Sequence, residues 1–142
     1  MSTQNFSNHT RMHAPFHYVS APLLLLGIIG SIGNLINSQP GNYYSASLLV
    51  LVFFLLLLIG SMVRTYALKA QDRAIRAEEN LRHFILTGKP FDSRLKIRQI
   101  IALRFASDEE LPALAKKAAE EKLRSKEIKQ QINHWREDNY RI

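Results

Sequence analysis

Three histidines, His9, His13 and His17, recur every fourth residue near the start of the chain. On a helix they would share one face, and imidazoles at that spacing can bind a transition-metal ion. Pro15 interrupts a helix through this stretch, and no carboxylate or cysteine lies nearby to complete a ligand set. A solvated tail at a membrane interface is the simpler reading, and no cofactor is expected. The chain contains no cysteine, which excludes disulfides, thiolate metal sites and cysteine nucleophiles. It also lacks a nucleophile–base set, an HExxH pair and a glycine-rich phosphate loop, so the expectation is a protein that is not an enzyme.

Basic residues offer a second chemistry. Arg64, Lys69, Arg73 and Arg76 follow directly on an apolar run. Arg94, Lys96 and Arg98, with Lys89 and Arg104, form a second cluster opposed only by Asp92. Both sets suit contact with anionic lipid, where each charge close to the surface contributes about 1 kcal/mol. Ordinary solvated helix faces would carry the same residues. The last two predicted helices could imitate a helix-turn-helix. The intervening Lys122-Leu123-Arg124 lacks the usual glycine, and acids interleave with the bases, so nucleic acid is not the expected partner.

The elements that must position these residues follow from a sharp partition. All but one of the 19 Lys and Arg, and all 12 Asp and Glu, lie from Arg64 onward. Residues 1–18 are a polar, aromatic, weakly basic tail without the basic start and small-residue cleavage site of a signal peptide, so cleavage is not expected. Residues 19–37 and 45–63 are apolar and long enough, at 1.5 Å per residue, to cross a hydrocarbon core of about 30 Å. The short link 38–44 carries Pro40-Gly41, which fits the centre of a type II turn. Tyr43 and Tyr44 suit one interface, and Phe16 and Tyr18 the other. The link has no charge, and the segment after 63 is basic, so both termini are expected in the cytoplasm. Gly27-x-x-x-Ser31 thins one side of the first span and allows close packing of the hairpin on itself, with Asn34 placed to hydrogen-bond across the same contact.

No glycine or proline separates 45–63 from the helix-prone 64–86. One long helix is therefore expected to leave the membrane and enter water, closed by Gly88 and Pro90. Along it Ala67, Ala70, Ala74, Ala77, Leu81 and Phe84 keep a 3-4-3-4 spacing, a heptad seam for a homodimer or for the chain's own later helices. Asp72–Arg76 and Glu78–Arg82 are i,i+4 pairs that support the helix itself. A small helical domain, 91–136, follows. It contains a helix over 93–105 capped by Ser93, a helix opened by the Ser107-x-x-Glu110 capping box and running to about 123, and a last helix capped by Ser125. Leu111, Leu114, Ala115 and Ala118 make the buried face of the second of these, with Pro112 in its first turn. Ile97, Ile100, Ile101, Leu111, Leu114, Ile128, Ile132 and Trp135 are expected to share one core. Residues 137–142 give no signal.

Several stretches resemble a family of small bacterial two-span membrane proteins known as a domain of unknown function. They are Gln4-Asn5-Phe6-Ser7-Asn8-His9, Tyr44-Ser45-Ala46, Lys69-Ala70-Gln71-Asp72-Arg73-Ala74-Ile75-Arg76, and Ala102-Leu103-Arg104-Phe105-Ala106-Ser107-Asp108 with Glu110-Leu111-Pro112. Lys126, Ile128, Lys129 and Trp135 fit the same pattern. The resemblance implies a bacterial inner membrane and supplies no activity. The sequence thus reads as an all-α membrane protein, a two-span hairpin with a cytoplasmic helical domain. It would act as an interaction or scaffold module whose partners are the bilayer and a protein of unknown identity, with a second copy of itself as the alternative to intramolecular packing of the seam.

Overall fold

The computed structural model describes residues 4–8 and 13–138. Among the described residues all regular structure is helical, apart from one isolated antiparallel bridge between Ala106 and Trp135. The chain separates into two compact units, one of residues 12–67 and one of residues 1–11 with 68–142.

In the unit 12–67, Pro15 stands at the opening of the first helical turn. A π-helical turn, Pro15–Ser20, leads directly into α1, Ala21–Ile36. Proline is tolerated at a first helical position because its missing N–H has no partner there anyway. The link between the spans is also more helical than expected. Pro40–Asn42 form a 3-10 turn closed by the Asn42 N–H on the Gln39 carbonyl at 2.8 Å, and Gly41 does not take the positive φ of a type II turn. The reason is that α2 begins at once, at Tyr43. A right-handed turn passes into a helix without reversing φ. Gly27 meets the Phe53 ring so closely that no Cβ would fit, and Ser31 is buried one turn on. Gly30 and Gly33 face open space, and Asn34 is exposed, so the expected polar contact from Asn34 is not made.

α2, Tyr43–Thr87, is one helix. It ends where Gly88, at φ 72°, donates its N–H to the Phe84 carbonyl at 2.8 Å. Pro15–Ile36 and Pro40–Thr87 are both long and apolar enough to cross a membrane, and very little of their apolar windows is buried within the chain.

In the other unit, α3 spans Ile97–Leu103, α4 Leu111–Glu120 and α5 Ser125–Gln130. All three are shorter than the sequence pattern predicts. Ser93 is not a cap: Asp92 accepts the Arg94 N–H at 2.9 Å in a local turn, which delays the helix to Ile97. The Ser107 hydroxyl accepts the Glu110 N–H, but only half of the capping box forms. The Glu110 carboxylate accepts instead from the backbone N–H groups of Asn133 and His134, and pairs with His134 Nδ1 at 3.0 Å. Burial pushes the Glu110 carboxyl up, yet these hydrogen bonds outweigh it and hold the group below its ordinary value. Beyond α5 the chain is extended. The Arg136 N–H donates to the Phe105 carbonyl at 2.8 Å, and the Ser107 N–H to the His134 carbonyl at 3.1 Å, so Trp135 is not on a helix.

The core centres on Phe105, Leu103, Leu111 and Ile128, all fully buried, with Ile100, Leu114 and Ile132 around them. Trp135 is half-buried against Phe105, with ring centroids 5.1 Å apart. Ile97 is exposed and Ile101 half-buried, so these two are not core residues as expected. Leu103 and Phe105 take that place because α3 ends at Leu103 and the chain turns its next residues inward.

α2 attaches to this core through a face that the small-residue spacing does not indicate. Ile75 and Glu79 are buried, whereas Ala70, Ala74, Ala77, Leu81 and Phe84 are exposed, Leu81 by 59 % and Phe84 by 51 %. Ala67, in the other unit, is half-buried. The seam is therefore not used by the chain's own later helices. Arg82 explains the choice of face. It donates Nη1 to Glu79 at 2.9 Å, Nε to Asp108 at 2.6 Å and Nη2 to the Ala106 carbonyl at 2.8 Å. Glu79 also pairs with Arg136 at 3.4 Å. The expected Glu78–Arg82 and Asp72–Arg76 pairs are absent among the described ion pairs. For Arg82, three acceptors, two of them on the buried residues Glu79 and Ala106, outcompete one solvated neighbour on the helix surface. The loop after α2 folds back on it: the Phe91 N–H donates to Asn80 Oδ1 at 2.9 Å, and the Phe91 ring lies 4.4 Å from that of His83.

Candidate functional site

The residues with chemical potential fall into separate places. His9 lies outside the described residues. His13 precedes the first helical turn, and its carbonyl accepts the Phe16 and His17 N–H groups. His17 Nε2 faces Arg64 Nη2 at 3.3 Å. That nitrogen is thus occupied by a cation. Among the described residues no three His, Cys, Asp or Glu side chains come together as metal ligands.

The two basic clusters also divide. Arg64 is half-buried, with its guanidinium 4.7 Å from the centre of the Phe16 ring, so it is held and not freely extended. Lys69 is exposed on α2. Arg73 and Arg76 border a shallow hollow beside Asn80 and Phe91. Arg94, Lys96 and Arg98 stand elsewhere, on one wall of a cavity of about 890 Å³. Lys122, Arg124 and Lys126 line its other wall, and Ile97, Ala119 and Leu123 give it an apolar floor.

This cavity is built by the start of α3 and the α4–α5 turn. Gln99 is buried in the apolar stripe of α3, and its amide is fully used. Its Oε1 accepts the Lys96 N–H at 2.7 Å, and its Nε2 donates to the carbonyls of Ala118 at 3.3 Å and Leu123 at 2.8 Å. The Ser125 hydroxyl donates to the Arg98 carbonyl at 2.8 Å instead of capping α5. Both walls are therefore fixed by bonds to backbone. At the end of α4 the Leu123 N–H reaches back to the Ala118 carbonyl at 3.2 Å. That closure puts Lys122 at φ 53°, a left-handed position that glycine normally fills and that costs another residue about 1 kcal/mol.

No acidic side chain lines the cavity, although Glu120, Glu121 and Glu127 belong to the same stretch. Glu127 is turned back to accept the Arg124 N–H at 2.6 Å. Asp92 neutralises Arg94 alone, at 2.7 Å, and the hydrogen bonds and charge of Arg94 hold the Asp92 carboxyl at about 2. Among the described ion pairs none involves Lys96, Arg98, Lys122, Arg124 or Lys126. A concave surface of one sign above an apolar floor concentrates anions.

The model of a family of unknown function, DUF6526, matches the chain over residues 1–142. The chain belongs to this family. No curated protein and no solved structure matches it. Membership in DUF6526 assigns no residue a role, so the geometry alone selects the site. Sequence reasoning found Arg94, Lys96 and Arg98 but not Lys122, Arg124 and Lys126, which lie more than twenty residues further along. The one local signal was Gln99, an uncharged polar residue inside an apolar helical stripe.

Proposed function

We propose that this DUF6526 chain is a non-enzymatic, membrane-anchored interaction module of a bacterial inner membrane. In this reading α1 and the apolar half of α2 form a two-span hairpin, with both termini cytoplasmic. The observation that carries it is the exposure of large apolar side chains along both helices, among them Leu26, Ile29, Phe54 and Ile59. A helix of this composition in the core of a soluble protein would bury them. The aromatic residues Tyr18, Tyr43 and Tyr44 are exposed near the ends of these stretches, as interfacial belts require. The uncharged link and the cations from Arg64 onward support the orientation.

Self-association through the second half of α2 belongs to the same reading. The seam from Ala70 to Phe84 is exposed among the described residues. In a parallel pair Arg73, at a g position, would face Glu78 at the following e position of the partner and contribute at most about 1 kcal/mol, which aligns more than it binds. A nucleic-acid regulator fits less well: α5 has six residues, too short for a helix that must fill a major groove.

Topology is the test. In this cysteine-free chain, single cysteines at Asn42 and at the C-terminus should react with an impermeant label from opposite sides of the membrane. Labelling from one side would overturn the hairpin. Cysteines at Ala70 or Ala74 should crosslink in membranes far more than cysteines at Lys69 or Arg76.

A further inference from the structure

We propose that the cavity between the start of α3 and the α4–α5 turn is a binding site for a small ligand that carries phosphate groups on an apolar body. The proposal concerns residues 94–126 and does not depend on the membrane topology above.

Three independent observations meet there. The first is sign selection. Six cations line the cavity, one of them neutralised by Asp92, while the acids of the same stretch stay off the lining. Like charges gathered on one surface disfavour the fold, and Asp92 and the nearby Glu120 offset only Arg94, so a bound anion would relieve the arrangement. The second is preorganisation. Gln99 and Ser125 tie the two walls together through backbone carbonyls, so little ordering remains for a ligand to supply. The third is Lys122: the left-handed position that closes α4, usually glycine, here holds a lysine that lines the cavity.

Charge and shape together select the ligand. One carboxylate would satisfy one arginine fork. Arg98 and Arg124 offer two forks, and Lys96, Lys122 and Lys126 add three point charges, a set suited to a multiply charged phosphate group. The volume of about 890 Å³ falls within the range of small-ligand pockets. The apolar floor of Ile97 and Leu123 gives a non-phosphate body somewhere to rest, which a duplex backbone lying along an open face would not need. A soluble phosphate ester and a phospholipid headgroup share this chemistry.

The experiment uses the full chain in an uncharged detergent. Inorganic pyrophosphate, ATP and water-soluble dihexanoyl phosphatidic acid are titrated in turn by calorimetry. At least one should bind saturably with a dissociation constant below about 1 mM. Arg98→Gln with Arg124→Gln should weaken it at least about tenfold, as loss of two charge-assisted hydrogen bonds implies. Lys116→Gln with Lys117→Gln, which removes two exposed α4 cations outside the cavity, should leave binding within about twofold, the screened effect of remote surface charge. Thermal melts of both pairs establish that they fold. Saturation by pyrophosphate or ATP identifies a soluble ligand, and saturation by phosphatidic acid alone identifies a lipid headgroup. Either result supports the proposal. The absence of saturable binding to all three probes, undiminished binding by the first pair, or equal loss in the second pair overturns it.

Discussion

The two units answer the same physical problem in opposite ways. In 12–67 the large apolar side chains lie outside and the buried residues are small, Ser31 and Ala46. In 68–138 a core of large apolar side chains lies inside, with Phe105 and Leu103 fully enclosed, although Leu81, Phe84 and Ile85 on α2 stay exposed, and the charged residues are outside or paired. One unit leaves its apolar surface exposed, and the other encloses an apolar interior. The contrast teaches that average hydropathy is uninformative for this chain, because near-neutral overall polarity hides one unit of each kind.

Substitution of matched phenylalanines should break or sharpen that contrast most strongly. Phe105→Ala should destabilise the helical domain by about 3–5 kcal/mol, because it empties the centre of a close-packed core. Phe54→Ala removes the same side chain from an exposed position and should leave that domain's stability within about 0.5 kcal/mol. The single tryptophan, Trp135, stacks on Phe105 and reports the unfolding of this domain by its fluorescence. Similar losses from both substitutions would show that the two units do not differ in this way.

A smaller effect is expected at the polar attachment of α2. Arg82→Met leaves the buried Glu79 carboxylate with only the longer Arg136 contact, at a cost of about 3 kcal/mol. Adding Glu79→Met should return most of that loss, because the unpaired buried charge is gone. Denaturant melts of the single and double variants measure the difference. The smallest effect has the opposite sign. Lys122→Gly should raise stability by roughly 0.5–1 kcal/mol, since glycine accepts a positive φ without strain. An unchanged or lowered melt would mean that the lysine already relaxes in that position.

Much of the fold was legible because it is written locally. The apolar runs mark α1 and the first half of α2, and Gly88 with Pro90 marks the end of α2. Pro112 and the Leu111–Leu114–Ala115–Ala118 spacing mark α4. Features set by distant partners were not legible. Ala70, Ala74 and Ala77 look like a packing face by spacing alone. The face containing Ile75 and Glu79 is buried instead, because Arg82 finds its acceptors on Ala106 and Asp108. Trp135 continues the helical register of Ile128 and Ile132, but the bridge to Ala106 draws it into extended chain. The cavity was half legible. Arg94, Lys96 and Arg98 are close in sequence, whereas their counterparts across the cavity are brought to them by tertiary contacts, those of Gln99 and Ser125 among them.

The Gln99 amide has a further consequence, for the order in which the domain forms. α3 has seven residues, too few to persist alone in water. The side chain that closes its first turn also grips the last turn of α4. With its oxygen and both amide hydrogens engaged, Gln99 contributes fully to neither helix until both exist. α3 and the C-terminal end of α4 should therefore appear and melt as a single cooperative unit, so no state with one of them formed and the other frayed is expected to accumulate.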